Sequence, residues 1–184
     1  MCGLLFYQRY RMDEAKNFFR NPLFMIIAGA VFGILAKYGD IAYANSIFSF
    51  FGLLTSGFAI WLVIGTAIIY ISSSRKQLSV LLSSFMLPML LAYYIFSVLA
   101  VKYFNIKIAL FWCAAFACSL AIGNIIFPKR RTRLFMALFI LASAAFVTAD
   151  AIMINGVNLL LILCESALCI AAAILISRKI KSQS

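Results

Sequence analysis

Long apolar stretches and short polar breaks alternate along the chain. The stretches are continuous runs rich in Leu, Ile, Ala and Phe, and they lack the apolar–polar alternation of membrane β-strands. A helix needs about 20 mostly apolar residues to cross the apolar core of a bilayer. Six stretches meet this requirement, at residues 22–38, 47–71, 78–101, 106–127, 134–153 and 157–176. The pattern predicts an all-α polytopic membrane protein, a bundle of six transmembrane helices.

The composition agrees with this prediction. Of the 184 residues, 66% are hydrophobic and 11% are charged, whereas soluble domains contain about 45–50% apolar and about 25% charged residues. A chain of this length cannot bury so large an apolar fraction in a core of its own. The lipid bilayer is therefore the first partner that the sequence predicts.

The basic residues predict how the bundle is oriented. Thirteen of the sixteen Lys and Arg residues lie in the N-terminal segment, in the breaks after the second and fourth stretches and in the C-terminal tail, while Lys37, Lys102 and Lys107 lie on the other side. By the positive-inside rule, both termini are cytoplasmic and the protein is a multi-pass protein of the cell membrane. The net charge of +11 is thus explained by topology. Nucleic acid is not an expected partner, because that function would need the charge gathered on one soluble domain.

The two ends of the chain differ from the apolar stretches. Residues 3–20 combine aliphatic and aromatic side chains with four basic and two acidic ones, which is typical of a helix lying at the membrane interface. The predicted organisation is a cytoplasmic interfacial segment (1–21), a single transmembrane domain (22–177) and a basic cytoplasmic tail (178–184).

The residues that usually carry catalysis are scarce. The chain has no histidine and only five acidic residues, so a histidine base or metal ligand is excluded. The sequence also lacks a phosphate-binding glycine loop and a metal-ligand cluster. We therefore expect no enzyme activity, no metal and no cofactor.

Two acidic residues inside the apolar stretches are the main functional candidates, because acids are costly in a membrane. Glu165 lies about nine residues into the sixth stretch, roughly 13 Å deep at 1.5 Å per residue, and Asp150 lies near the outer end of the fifth. One interpretation is that these polar residues line a ligand pocket that opens outward. The other is that they only cap helix ends. The further ligand-binding candidates gather toward the same outer half: Lys37, Asp40, Trp61, Tyr93, Tyr94 and Asn158.

Small residues indicate close helix packing. Gly29 and Gly33 form a GxxxG motif in the first stretch, which lets another helix approach closely. Gly57, Trp61 and Gly65 form a four-residue ladder in the second. Such motifs hold a bundle together or dock a partner subunit, and Gly29 and Gly33 are the candidates for docking.

The size, the six predicted spans, the orientation and the small-residue motif of the first span resemble the substrate-binding S-component of energy-coupling-factor vitamin transporters. In that family an alanine-spaced motif on the first helix docks on the transmembrane coupling subunit, and Gly29 and Gly33 take the matching positions here. The segment 33–40, together with Trp61 and the Ala-Tyr-Tyr at 92–94, is similar to small uncharacterised bacterial integral membrane proteins.

Three functions remain open at this point. The first is a solute-binding or transport subunit that captures a small molecule from outside, and it predicts that Asp150, Glu165 and Tyr94 line one cavity. The second is a non-catalytic accessory or scaffold protein that binds a larger membrane complex, and it predicts a filled interior. The third, a membrane enzyme, would need a reactive cluster that the sequence does not show.

Overall fold

The structure, a computed structural model, is built from helices. It describes residues 17–41, 47–102, 104–153 and 159–181, and these ranges contain no strand. The predicted interfacial segment, apart from its last residues, and Asn158 lie outside the described residues. The helices are α1 (Pro22–Ile41), α2 (Ile47–Ser56), α3 (Phe58–Ile71), α4 (Arg75–Val101), α5 (Ile106–Ile126), α6 (Arg133–Met153) and α7 (Leu159–Lys181), with one 3-10 turn at Phe127–Lys129.

Five helices, α1, α4, α5, α6 and α7, are long and apolar enough to cross a membrane. Their outward faces carry large apolar side chains with no protein cover: Leu99 and Ile152 are each 75% exposed and Ile125 is 73% exposed. Soluble proteins rarely expose so much contiguous apolar surface. The fold is that of an all-helical protein and is compatible with a multi-pass membrane protein, as the apolar stretches predicted.

The second predicted span is not one helix. It divides into α2 and α3, of ten and fourteen residues, on either side of Gly57. Gly57 has extended backbone angles, φ −75° and ψ 155°, so the chain leaves the helical path for one residue. The single helix predicted over residues 47–71 is therefore not confirmed. An apolar run carries no signal for a break whose cause lies elsewhere in the fold.

The GxxxG motif of α1 packs on α4 of the same chain. A Cβ added at Gly29 would lie 2.1 Å from the carbonyl oxygen of Phe85, and one at Gly33 would lie 2.2 Å from that of Met89. Only glycine allows the two backbones to come this close. The close helix contact that the motif predicts is present, and it joins two helices of the same chain. Docking of a partner through Gly29 and Gly33 would require α1 and α4 to separate, and it stays a prediction.

The ends of several helices meet at one end of the bundle through basic residues. Arg20 Nε donates to the carbonyl of Ile71 at 2.6 Å, and the Tyr70 hydroxyl donates to the carbonyl of Arg130. Burial lowers the pKa of the Arg130 guanidinium, with a further decrease from Arg131 and an opposing increase from Tyr70; the group stays charged, as arginine does in proteins. We call this the basic end, and the end that holds Asp40 the opposite end.

Candidate functional site

A cavity of about 210 Å³ lies between α1, α2, α3, α4 and α5, toward the opposite end. Pockets for drug-sized ligands have volumes of about 300–1,000 Å³, whereas a cavity of about 150 Å³ already holds benzene. The space therefore suits a molecule somewhat larger than a single benzene ring. Its walls are formed by Gly33, Ala36, Asp40, Thr55, Trp61, Met89, Leu90, Tyr93, Ile108 and Trp112.

The polar groups of the cavity are concentrated where α1 ends. The Tyr93 hydroxyl donates to Asp40 Oδ2 at 2.5 Å. Lys37 Nζ lies 3.9 Å from the same oxygen and 5.1 Å from the centroid of the Tyr93 ring. Asp40 and Lys37 thus carry opposite charges side by side, so this part of the cavity offers hydrogen-bonding groups with little net charge.

Aromatic rings form another part of the wall. The rings of Trp61 and Trp112 meet edge to face, with centroids 5.9 Å apart, and Phe32 contacts Trp61 at 5.6 Å. Edge-to-face pairs at these distances are favourable and hold the rings in place. The cavity therefore combines a fixed aromatic surface with one polar corner, which is the usual composition of a small-molecule site.

The break at Gly57 is stabilised by Asp150 of α6. In a continuous helix the amides of Phe58 and Ala59 would bond to the carbonyls of Leu54 and Thr55, four residues earlier. Here both amides donate instead to Asp150 Oδ2, at 2.7 Å and 3.0 Å. A carboxylate is the strongest acceptor a helix start can have, because the N–H groups and the helix dipole both favour negative charge.

The carbonyl released by the break finds a new donor. Trp61 Nε1 donates to the Thr55 carbonyl at 3.0 Å, and the Thr55 hydroxyl donates to the Gly52 carbonyl at 3.0 Å. Thr55 and Trp61 are also wall residues of the cavity. The break and the cavity therefore share these two residues.

Glu165 of α7 lies beside Asp150 at the break. A Cβ added at Gly57 would lie 2.7 Å from Glu165 Oε1 and 2.9 Å from Asp150 Oδ2. The absence of a side chain at Gly57 is what leaves room for both carboxyl groups. Asp150 is 0% and Glu165 is 1% exposed, so both side chains are fully buried.

The structure thus divides the predicted site residues into two groups. Asp40, Tyr93 and Trp61 line the cavity, with Lys37 next to Asp40 and Tyr93. Asp150 and Glu165 come together at the break. Tyr94 contacts the rings of Tyr93 and Phe104, with centroids 5.2 Å and 5.5 Å away. Asp150, Glu165 and Tyr94 were expected to line one cavity; none of the three is among the residues that line this one.

Sequence reasoning missed six of the ten wall residues as site residues, and it predicted Gly33 only as a docking position. Trp112 could have been noticed as the second of two tryptophans, and Thr55 as a polar residue within an apolar run. Ala36, Met89, Leu90 and Ile108 carry no signal in the sequence, because apolar residues that line a cavity look like any other apolar residues of a membrane helix.

Comparisons with models of known protein families, with curated proteins and with solved structures found no match to this chain.

Proposed function

We propose that this chain is an integral membrane protein that captures a small solute in the cavity between α1, α2, α3, α4 and α5. The observation that carries the proposal is the cavity itself, which is lined by two tryptophans and by Asp40 and Tyr93, with Lys37 beside these two polar residues.

The side from which solute would enter follows from the proposed topology. We count α2 and α3 together as one crossing, which makes six crossings with both termini in the cytoplasm. The basic end then faces the cytoplasm, as the positive-inside rule requires, and the cavity lies in the outer half. Asp40 and Tyr93 are placed where a solute arriving from outside would first meet polar groups.

The walls also suggest the kind of solute. A flat apolar or aromatic body suits the tryptophan surface, and a neutral or zwitterionic polar group suits the paired charges of Lys37 and Asp40. A solute with a single net charge would lack a full counter-charge in the corner.

The proposal is tested through the tryptophans, because Trp61 and Trp112 are the two tryptophans of the chain and both line the cavity. Small molecules released by denaturing the purified protein are identified by mass spectrometry and added back to protein stripped by detergent exchange. We expect saturable quenching of tryptophan fluorescence, with an affinity about tenfold weaker in Asp40→Asn, which corresponds to about 1.4 kcal/mol.

Tyr70→Phe is the matched control, because it also removes a tyrosine hydroxyl with a known partner, but at the basic end. Its affinity should equal that of the wild type, and that of Tyr93→Phe should be reduced. Equal affinity in Asp40→Asn, Tyr93→Phe and the wild type would place the solute outside this cavity.

Partner subunits remain part of the proposal. The resemblance to S-components suggests that a coupling ATPase completes the transporter, and proteins that co-purify with the chain from native membranes identify such a partner. Recovery of a large membrane complex without transport components, together with no bound solute, would favour the scaffold function instead.

A further inference from the structure

We propose that Asp150 and Glu165 form a proton-binding site at the break in the second crossing. This inference goes beyond solute capture and does not depend on it, because the proton site is built from groups that do not line the cavity. The argument rests on the placement of the two carboxyl groups, on their hydrogen bonds and on the charges of the surrounding helices.

The two carboxyl groups are held next to each other by Gly57. Glu165 Oε1 and Asp150 Oδ2 lie 2.7 Å and 2.9 Å from the same point, the position of a Cβ at Gly57. Both side chains are sealed, with exposures of 0% and 1%. Two negative charges this close and this far from water repel strongly. The pair therefore favours a state in which one group is ionised and the other holds a proton.

The hydrogen bonds indicate which group is ionised. Asp150 Oδ2 accepts from the amides of Phe58 and Ala59 at the start of α3, and such a position favours the carboxylate. Glu165 is then the group that holds the proton. Asp150 Oδ1 is buried and has no hydrogen-bond partner among the described residues, so the pair keeps an open acceptor to which a protonated carboxyl can donate.

In the segments that form α2, α3, α6 and α7, no basic residue lies near Asp150 or Glu165 along the chain. The segment 47–71, which forms α2 and α3, contains no charged residue. In α6 the one basic residue is Arg133, at the far end of the helix from Asp150, and in α7 the basic residues Arg178, Lys179 and Lys181 all lie near its last turn. The further titratable neighbour is Cys169, which interacts electrostatically with both carboxyl groups and lies beside Ser143. A proton is the cation that this arrangement can accept without further ligands.

The geometry links this proton to the conformation of the break. A second proton, on Asp150, would neutralise the acceptor that holds the amides of Phe58 and Ala59, and would weaken the start of α3. Because Trp61 is one turn further along α3 and is bonded to Thr55, a shift of that helix start would change the cavity wall.

Carbodiimide labelling tests the site on the wild-type protein in its native membrane. Dicyclohexylcarbodiimide is apolar and reacts with protonated carboxyl groups, so the adduct, located by peptide mass spectrometry, reports which carboxyl holds a proton. We expect an adduct on Glu165, with a yield that falls about tenfold per pH unit once the group ionises. No adduct on Glu165 at any pH, or a yield that does not change with pH, would overturn the proposal.

Two variants and one salt control make the result specific. Asp150→Asn removes the neighbouring negative charge and should lower the labelling of Glu165 at a given pH, whereas Tyr70→Phe, at the basic end, should leave it unchanged. Equal labelling of Glu165 in the wild type and in Asp150→Asn would show that the two groups do not share a proton.

Protection by sodium chloride but not by choline chloride at constant pH would identify a metal-cation site and overturn the proton assignment. If carbodiimide labelling overturns the proton site, quenching of the Trp61 and Trp112 fluorescence by solute still tests the cavity. Each proposal can therefore fail without the other.

Discussion

Replacing Asp150 by leucine should destabilise the protein more than the loss of any other helix cap in the described part of the chain. The substitution leaves the amides of Phe58 and Ala59 without their acceptor in a site with 0% exposure. Each buried unsatisfied group costs about 1–3 kcal/mol, so the expected loss is roughly 2–6 kcal/mol. The measurement is the free energy of unfolding in mixed micelles of mild detergent and dodecyl sulphate.

Asn105 provides a matched control for this cap. Its side chain accepts from the amides of Lys107 and Ile108 at the start of α5, at 3.0 Å and 3.4 Å, in an exposed position. Asn105→Ala should therefore cost about 1 kcal/mol, as exposed caps do, because water replaces the lost acceptor. If Asp150→Leu cost no more than Asn105→Ala, the break would not depend on the carboxylate.

The second large effect is expected from Gly33→Ala. The added Cβ would lie 2.2 Å from the backbone oxygen of Met89, and a backbone atom cannot move aside as the end of a flexible side chain can. The helices α1 and α4 must separate along their contact, which should cost about 1–3 kcal/mol. Gly29→Ala should behave in the same way, because its Cβ would lie 2.1 Å from the oxygen of Phe85.

Gly65→Ala is the control for both glycine variants. No atom lies within 4 Å of a Cβ at Gly65, and alanine is the better helix former by about 1 kcal/mol. The free energy of unfolding should therefore stay equal or rise. A loss of stability in Gly65→Ala as large as in Gly33→Ala would mean that helix contact at Gly33 is not the cause.

Much of the fold could be predicted from the sequence because lipid requires long apolar helices. Five of the six stretches correspond to helices within a few residues of the predicted bounds: the fourth, for example, was predicted at 106–127 and forms Ile106–Ile126. The GxxxG motif also predicted a close helix contact. Which helix it meets could not be predicted, since small residues give the same pattern at internal and external contacts.

The break at Gly57 shows what the sequence pattern could not provide. Gly57, Trp61 and Gly65 were interpreted as a packing ladder on one helix. In the structure Gly57 lies between two helices, and no atom lies within 4 Å of a Cβ added at Gly65. The break depends on Asp150, which lies 92 residues from Phe58 along the chain. Local periodicity cannot reveal such a contact, because both halves of the span remain apolar.

The acidic residues show what the cost of burying a charge can predict about a site. The cost of an acid in the membrane drew attention to Asp150 and Glu165, and the structure buries both beside Gly57; their role in ligand binding stays a prediction. For Asp150 the two interpretations, a functional site and a helix cap, are both compatible with the structure, since the group that caps α3 is also half of the carboxyl pair.

Solute capture in the cavity is tested most directly by native mass spectrometry of the purified protein with two substitutions on neighbouring residues of α4. Leu90 lines the cavity and is 8% exposed, whereas Leu91 is 63% exposed on the outer face. Leu90→Phe should narrow the cavity and lower the amount of the bound small molecule that the wild-type protein carries, and Leu91→Phe should retain it. A bound molecule that persists equally in both variants, or a wild-type protein that carries none and binds none of the solutes extracted from its membrane, would contradict solute capture.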